Sequence, residues 1–429
     1  PIRKIAGILR YTAARIELQL HESLTPLRQG KTIIDNRVIT YPVVHGTTRD
    51  GEAVTLLTAH RAGWSFKFGS GGLRNPEKLI SSFLLIGAHI PKDFLFHKMS
   101  FRVPGLQIWL SWPNIAYAVE RQETTGSTIN LYRVGGTSKE TSRVLSINSN
   151  LDWYFSYEST SDQYTSIAVK VSAWTAVHPD SPQSLLWYFE QLDKITTMLT
   201  FLAGSPMSPD CIKVSIGEKH QDVSVMVTLR DMKLCPYNGL YEFFMPRNEM
   251  KVDITDAINR WFEAYPKLLM PIQLANSVLA SDKLWLHVEF LSLMQALEGY
   301  HRALFDGNYM EEGNYESVKK TLVDAIPVCL GSDHKDSLRS RIRYGNQISL
   351  RRRLVELADG FSGKIRQAVF GGDGEIPRSW IDTRNYYTHW DEELSANVLD
   401  TQGMYNANVR LRHFLRILYL KILGIPTDA

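Results

Sequence analysis

The chain has 429 residues, 44% hydrophobic and 22% charged, with 48 Lys and Arg against 45 Asp and Glu for a net charge of +3. That length and balance fit an ordinary soluble globular protein of two or three domains. No run approaches the roughly 18 consecutive apolar residues of a membrane span, three cysteines (Cys211, Cys235, Cys329) cannot build a disulfide framework, and the opening Pro-Ile-Arg-Lys-Ile leads into alternating residues rather than an apolar signal-peptide core. A membrane protein, a disulfide scaffold and a disordered tail are thereby excluded, and a reducing cytoplasm is the expected compartment. A charge of +3 neither demands nor forbids a polyanionic partner.

The first half reads as β. Residues 5–11 and 15–20 alternate apolar with polar positions, the period of half-buried strands. Similar runs recur at 38–44, 53–58, 80–85, 106–112, 129–134, 153–157 and 166–171, separated by turn-forming clusters such as Thr47–Gly51 and Gly69–Gly72. That many short strands predicts a sandwich- or barrel-like β domain. The period changes at Ser181-Pro182, where Leu185, Tyr188, Leu192, Ile195 and Leu199 take helical spacing, with Ser181 as the expected N-cap. Strand-like pieces return at 212–216 and 223–229. From Ile254 onward the pattern is almost wholly helical. One stripe runs through Leu284, Val288, Leu291, Met294, Leu297, Tyr300 and Leu304, a second through Val318, Leu322 and Ile326, and a third through Leu350, Leu354, Leu357 and Phe361. Residues 365–369 extend the third, and Leu411, Leu415, Leu418 and Ile422 form the last. No internal repeat is visible.

Most motif-like features dissolve on inspection. Gly69-Ser70-Gly71-Gly72 lacks the Lys-Ser or Lys-Thr that a phosphate loop requires, and reads as a flexible turn. The cysteines and histidines have no zinc-ligand spacing, and no G-x-S-x-G elbow marks a nucleophile. Neither a metal nor a cofactor is expected.

One constellation survives. Arg384 precedes His389 by four intervening residues, with Asn385 directly after the arginine. R-x(4–6)-H by itself carries no weight, because the composition predicts about two chance matches. The other occurrence, Arg15 to His21, lies in an expected strand. Around Arg384 the chain reads as helix, which puts Asn385 and His389 at i and i+4 on one face, within reach of the forked Arg384 side chain. An imidazole, a guanidinium and a short amide are sufficient parts for cleaving a phosphodiester without a metal. His389 can move a proton to or from a ribose oxygen, Arg384 can bind and neutralise the phosphate, and Asn385 can orient either. The competing reading is a carbonyl-capping Arg and a packed His.

On these residues the C-terminal region resembles the HEPN ribonuclease superfamily, whose signature is an R-x(4–6)-H motif with a polar residue after the Arg in a small helical domain. The helix from Phe290 to Arg302 is similar to the opening helix of the HEPN domain of ApeA-like proteins. The β half resembles the domain that precedes it there, through Gly46–Gly51 and the stretch from Phe101 to Trp109. ApeA-like proteins are bacterial anti-phage, abortive-infection factors, so the resemblance implies an RNase that acts on host RNA, tRNA in particular, once infection is sensed by a phage-derived trigger. It also implies that Arg384, Asn385 and His389 are catalytic, that Glu298 is the acidic site residue from another helix, and that the domain pairs as a homodimer or an assembly of dimers. For Glu298 a plain Arg-paired carboxylate remains the alternative. The position two residues after the His is Asp391, where HEPN toxins controlled by a nucleotidyltransferase carry Tyr, so that mode of control is not expected.

Arg339, Arg341, Arg343, Arg351, Arg352 and Arg353 follow one another with no acidic residue between them. They form either a phosphate-backbone footprint for RNA or a solvated helix face with a basic loop at Gly345-Asn346. Residues 271–429 hold 19 Lys and Arg against 20 Asp and Glu, so RNA binding there would have to be local. The resulting expectation is an α+β multidomain chain: a β-rich sensing or regulatory domain over 1–265, with a helix near 181–203, then an all-α HEPN bundle over 266–429. The expected activity is a metal-independent endoribonuclease that attacks through the 2′-hydroxyl and leaves a 2′,3′-cyclic phosphate. The alternative is a non-catalytic HEPN interaction module whose β domain binds a phage or regulatory partner. No membrane association is expected.

Overall fold

A computed structural model describes residues 4–12, 14–24, 39–64, 67–69, 72–74, 76–111, 115–121, 128–134, 139–162, 166–217, 221–228, 242–279, 281 and 283–427. Ser70, Gly71 and Cys235, and the outer residues Val38, Trp112 and Leu229 of three expected strands, lie outside the described residues. Internal contacts divide the chain into residues 1–249 and 250–429.

The first unit is built on strands. They begin with β1 (Gly7–Thr12), β2 (Arg15–Leu20), β3 (Thr40–Thr47), β4 (Ala53–Trp64), β5 (Lys67–Gly69), β6 (Gly72–Arg74), β7 (Glu77–Ser81) and β8 (Phe83–Ile86). After β9 (Leu95–Phe96) and β10 (Lys98–Arg102) comes a short helix, α1 (Leu106–Trp109), then β11 (Ile115–Arg121), β12 (Thr128–Val134), β13 (Lys139–Val144), β14 (Ser149–Asp162), β15 (Ser166–Pro179) and β16 (Gln183–Ser184). Helix α2 (Leu185–Ala203) precedes β17 (Cys211–Ile216) and β18 (Gln221–Val227). Twelve strands form one sheet in the order β1-β2-β7-β4-β8-β18-β17-β10-β15-β14-β13, with β3 paired to β4. Among the described residues β1 and β13 end this path, so the sheet is open and not a closed barrel.

Alternation explains the register. In β7, Glu77, Leu79 and Ser81 point inward, and Leu79 joins Ile16, Leu20, Val54, Leu56, Ala59 and Leu84 in one apolar cluster. The buried Glu77 carboxylate is satisfied by Arg61, by the Tyr41 hydroxyl at 2.9 Å and by the Ser23 hydroxyl at 3.0 Å, as a buried charge requires. Toward the other end, Trp109 and Trp153 meet edge to face at 5.6 Å beneath the Arg247 guanidinium, which pairs with Glu140 at 2.7 Å.

Two expectations are corrected here. Of the strand expected over 106–112, the described residues 106–111 do not form one: Gly105 takes a left-handed conformation (φ 88°) and starts α1, whose Leu106 and Trp109 are buried on one helical side. The cap of α2 is Ser184 rather than Ser181, its hydroxyl accepting from the Trp187 amide at 3.2 Å.

Asp152 on β14 accepts hydrogen bonds from Thr141 (2.7 Å), Lys139 (2.9 Å) and His178 (3.0 Å). Burial opposes its ionisation, but bonds from His178, Thr141 and Lys139 outweigh that and hold the carboxyl well below the usual range. A depressed carboxyl contributes stability that is complete above its unfolded value near 3.8 and is lost as the pH falls below it. Asp152→Asn should cost the first unit about 1–3 kcal/mol at neutral pH and flatten the acid limb of its melting temperature. Thermal melts from neutral to strongly acidic buffer check both, and an unchanged limb would refute the assignment.

The second unit is helical: α3 (Ile254–Ala264), α4 (Leu269–Leu279), α5 (Leu286–Leu304), α6 (Glu312–Asp324), α7 (Ser332–Arg343), α8 (Leu350–Asp359), α9 (Gly363–Phe370), α10 (Arg378–His389) and α11 (Thr401–Ile422). Helix α5 is central and packs against α4, α8, α10 and α11. Gly299 lets α4 approach, since a Cβ there would stand 3.1 Å from the Pro271 ring. Tyr300 of α5 meets Tyr419 of α11 edge to face at 5.7 Å and donates to the Leu418 carbonyl at 3.2 Å. Phe414 lies between Phe361 and Phe370. Asp253, Ser349 and Asp400 cap α3, α8 and α11 through their side-chain oxygens.

The expected stripe on α5 is rotated. Phe290, Leu293, Met294, Leu297 and Tyr300 are buried, whereas Val288 and Leu304 are exposed. The stripe on α6 is not a core face at all: Val318 and Leu322 are exposed, and Tyr315 alone of that helix is buried. No described helix is long and apolar enough to cross a membrane.

Candidate active site

Helix α10 carries the motif. Its apolar residue Trp380 and its polar Asp382 and Thr383 are buried, and the Thr383 hydroxyl accepts from the Leu399 amide at 2.9 Å. This anchors the helix so that the next residue, Arg384, faces α5. There its Nη2 donates to Glu298 Oε2 at 3.3 Å, while Nη1 donates to Asn385 Oδ1 at 3.2 Å. The other Glu298 oxygen accepts from Arg302, at 2.9 Å from Nη2 and 3.1 Å from Nε. Arg302 also donates to Gln347 Oε1 at 2.9 Å. Glu298 therefore holds two guanidiniums in the wall of a cleft of about 540 Å³ that Glu298, Arg302 and Arg384 line together with Leu291, Gln295, Gly299, Tyr387 and Thr388.

The sequence-derived set is thus brought together in part. Arg384, Asn385 and Glu298 form one hydrogen-bonded chain across two helices. His389 is the last residue of α10, one turn beyond Asn385 on the same face. It is exposed, lies outside the lining of the cleft, and makes no side-chain hydrogen bond among the described residues. Trp390 follows it in a left-handed conformation (φ 53°), 72% exposed, with its ring 6.1 Å from Tyr386. Tyr387 stacks on His287 of α5 at 5.6 Å. Asp391 caps the next turn by accepting from the Glu393 amide.

The arginine run separates into two populations. Arg339, Arg341, Arg343, Arg351 and Arg352 are exposed on α7 and α8. Arg339 pairs with Asp336 and Arg352 with Glu356, both across a helical turn. Arg353 does not join them: it is 2% exposed, with Nη1 3.1 Å from His301 Nδ1 and Nη2 3.3 Å from the Gly307 carbonyl. Every third or fourth residue of an amphipathic helix faces the core, and here that position carries an arginine. Its acceptor role toward Arg353 leaves His301 with its proton on Nε2, which donates to Glu356 at 2.8 Å. Burial first, then the Arg353 charge, lowers the His301 pKa against the pull of Glu356. The spacing of Glu298 and Arg302 at i and i+4 was a legible signal for Arg302. Nothing in the linear sequence marked Gln347, Tyr387 or the His301–Arg353 pair as neighbours of the cleft.

An R-x(4)-H helix packed on a central helix that supplies a glutamate, within an all-helical unit, defines a HEPN-type domain. A family model described as Apea-like HEPN matches residues 291–429, and one described as ApeA N-terminal domain 1 matches residues 2–261. The chain belongs to the ApeA family. That membership supports an anti-phage role with a HEPN nuclease domain, and HEPN domains generally act as dimers and bind RNA. No curated protein and no solved structure matches the chain.

Proposed function

We propose that the chain is a metal-independent endoribonuclease of anti-phage defence, which cleaves host RNA by attack of a ribose 2′-hydroxyl on the adjacent phosphodiester. The observation that carries this reading is the Arg384 guanidinium, held on Glu298 and Asn385 in the wall of an open cleft, on the same helix as an exposed imidazole that makes no side-chain hydrogen bond among the described residues. Arg384 binds the non-bridging oxygens and stabilises the charge that grows on them. His389 takes the 2′-proton or protonates the leaving 5′-oxygen. The ribose oxygen forms a new bond to phosphorus as the P–O5′ bond breaks, which leaves a 2′,3′-cyclic phosphate and a 5′-hydroxyl. Asn385 orients the guanidinium, and Glu298 positions it from α5.

Arg384 turns toward α5 while His389 projects from the end of α10. Pairing of two HEPN domains would set the imidazole of one copy near the guanidinium of the other, so we assign the active form to a homodimer. The exposed arginines of α7 and α8 supply backbone attraction that should weaken steeply with salt. We assign the substrate to tRNA, whose loops present unstacked linkages free to adopt an in-line geometry. A phage-derived trigger acting through the β-rich unit would set the timing.

The test is incubation of purified protein with total tRNA in EDTA, with and without phage lysate, followed by analysis of the product ends. Cleavage to cyclic phosphate ends, abolished by a single 2′-deoxy substitution at the cut ribose, is expected. Intact RNA under both conditions refutes the nuclease reading and favours an interaction module, and cleavage of the deoxy substrate refutes the 2′-hydroxyl mechanism.

A further inference from the structure

Behind Arg302 lies a second, smaller cavity of about 130 Å³, lined by Arg302, Phe305, Gly307, Asn308, Gln347 and Arg353. Arg302 lines both cavities, so the two adjoin. The smaller one is built around positive charge and neutral donors, with no carboxylate in its lining. The carboxylates paired with these cations are already engaged, Glu298 by Arg302 and Arg384 and Glu356 by His301 and Arg352. Four guanidiniums, those of Arg302, Arg352, Arg353 and Arg384, thus stand against three carboxylates, the third being Asp306, which accepts from the Asn308 backbone amide at 3.2 Å. The Arg353 Nε is buried and has no hydrogen-bond partner among the described residues, a costly condition for a charged donor. Burial, and after it the charge of Arg302, lowers the Arg353 pKa from the ordinary arginine value. An anion in the cavity would offset the mutual repulsion of the Arg302 and Arg353 guanidiniums.

We infer that this cavity is a second phosphate subsite, in which Arg302 and Arg353, with the amides of Asn308 and Gln347, take the phosphodiester adjoining the scissile one in a single RNA strand. The identity of the ligand rests on the nuclease reading above. The subsite gives the enzyme a register: one phosphate on Arg384, its neighbour on Arg353, and Arg302 between them. It also accounts for an arginine buried at a position where α8 otherwise places Leu354, Leu357 and Ala358.

Binding tests the subsite without requiring cleavage. In a His389→Ala background, the full chain is titrated with two oligouridylates, one with all phosphates and one with alternate linkages replaced by neutral methylphosphonate. Asn308 is exposed, and Asn308→Asp puts a carboxylate on the rim while leaving the Arg353 contacts in place. The all-phosphate strand should bind about tenfold more tightly than the alternating one, the size expected for one charge-assisted contact, and Asn308→Asp should abolish that preference. Equal weakening of both strands by Asn308→Asp, or of neither, overturns the proposal. So does inorganic phosphate raising the melting temperature as much as the strand does, since the cavity would then hold a free anion. Binding with this preference by the His389→Ala chain, together with no RNA cleavage by the wild-type chain in the assay above, would refute the nuclease reading and leave the subsite standing.

Discussion

Arg384→Ala is expected to reduce kcat/KM for RNA cleavage about a hundredfold to a thousandfold, the cost of removing one preorganised donor to a developing oxyanion. The guanidinium is half-buried and held from two sides, by Asn385 Oδ1 on its own helix and Glu298 Oε2 on α5, so its geometry exists before substrate arrives. Arg384→Lys keeps the charge but not the planar fork, and should recover only a small part of the rate. His389→Ala should lose a comparable factor through the missing proton transfer, with circular dichroism and melting temperature unchanged because the imidazole is exposed and makes no side-chain hydrogen bond among the described residues. Glu298→Gln should act differently, lowering kcat while the folded state persists, because Arg384 loses its partner on α5. Initial rates on a fluorescent RNA hairpin in EDTA measure all four. Wild-type rates in both Arg384→Ala and His389→Ala would remove the catalytic assignment altogether.

The largest expected loss of stability lies one layer below. Arg353→Ala should destabilise the helical unit by about 3 kcal/mol, because it leaves the buried His301 Nδ1 without its donor, leaves the Gly307 carbonyl with the Ile348 amide alone, and opens a void in a packed site. Gly307→Ala should disturb the same contacts from the other side, since its Cβ would overlap the Arg353 guanidinium. The network also predicts a pH dependence. His301 is fully buried and neutral, with its folded pKa lowered chiefly by burial. The folded state therefore disfavours protonation, and the contribution is complete above the unfolded histidine value of 6.5 and lost as the pH falls through it. Bonds from His301 and Arg352 outweigh burial to lower the Glu356 carboxyl, which adds a second loss below its ordinary 4.5. Denaturant midpoints of wild type should decline from pH 7 to pH 5, and His301→Gln should decline less. A wild-type midpoint that is flat over that interval would contradict a buried neutral His301.

Local pattern carried far in this chain. The four- and three-residue steps of Leu411, Leu415 and Leu418 correspond to a buried face of α11, and the alternation at 15–20 corresponds to β2. Alternation misled at 106–109, because Leu-Gln-Ile-Trp fits a strand or a helix equally well over so short a span, and a left-handed Gly105 chose the helix. It misled on α6 for a different reason. Val318 and Leu322 recur at helical spacing, but spacing states only that residues share a side, not that another element covers it. Arg353 failed in the opposite sense. In a run of arginines it is indistinguishable from Arg352, and the packing of α8 against α5 alone makes one a surface charge and the other a buried donor.

What the sequence determined by itself was therefore the periodic part: strands in the first half, helices after Ile254, and a helix bearing Arg384, Asn385 and His389 within two turns. Those features depend on residues a few positions apart, where chain geometry leaves little choice. Which groups stand opposite that helix was decided by tertiary structure. Glu298 is 86 residues from Arg384, and Gln347 is 45 from Arg302. At such separations no local rule sets distance or direction, and only the packing of α5 against α10 and α8 puts two guanidiniums on one carboxylate beside an open cleft.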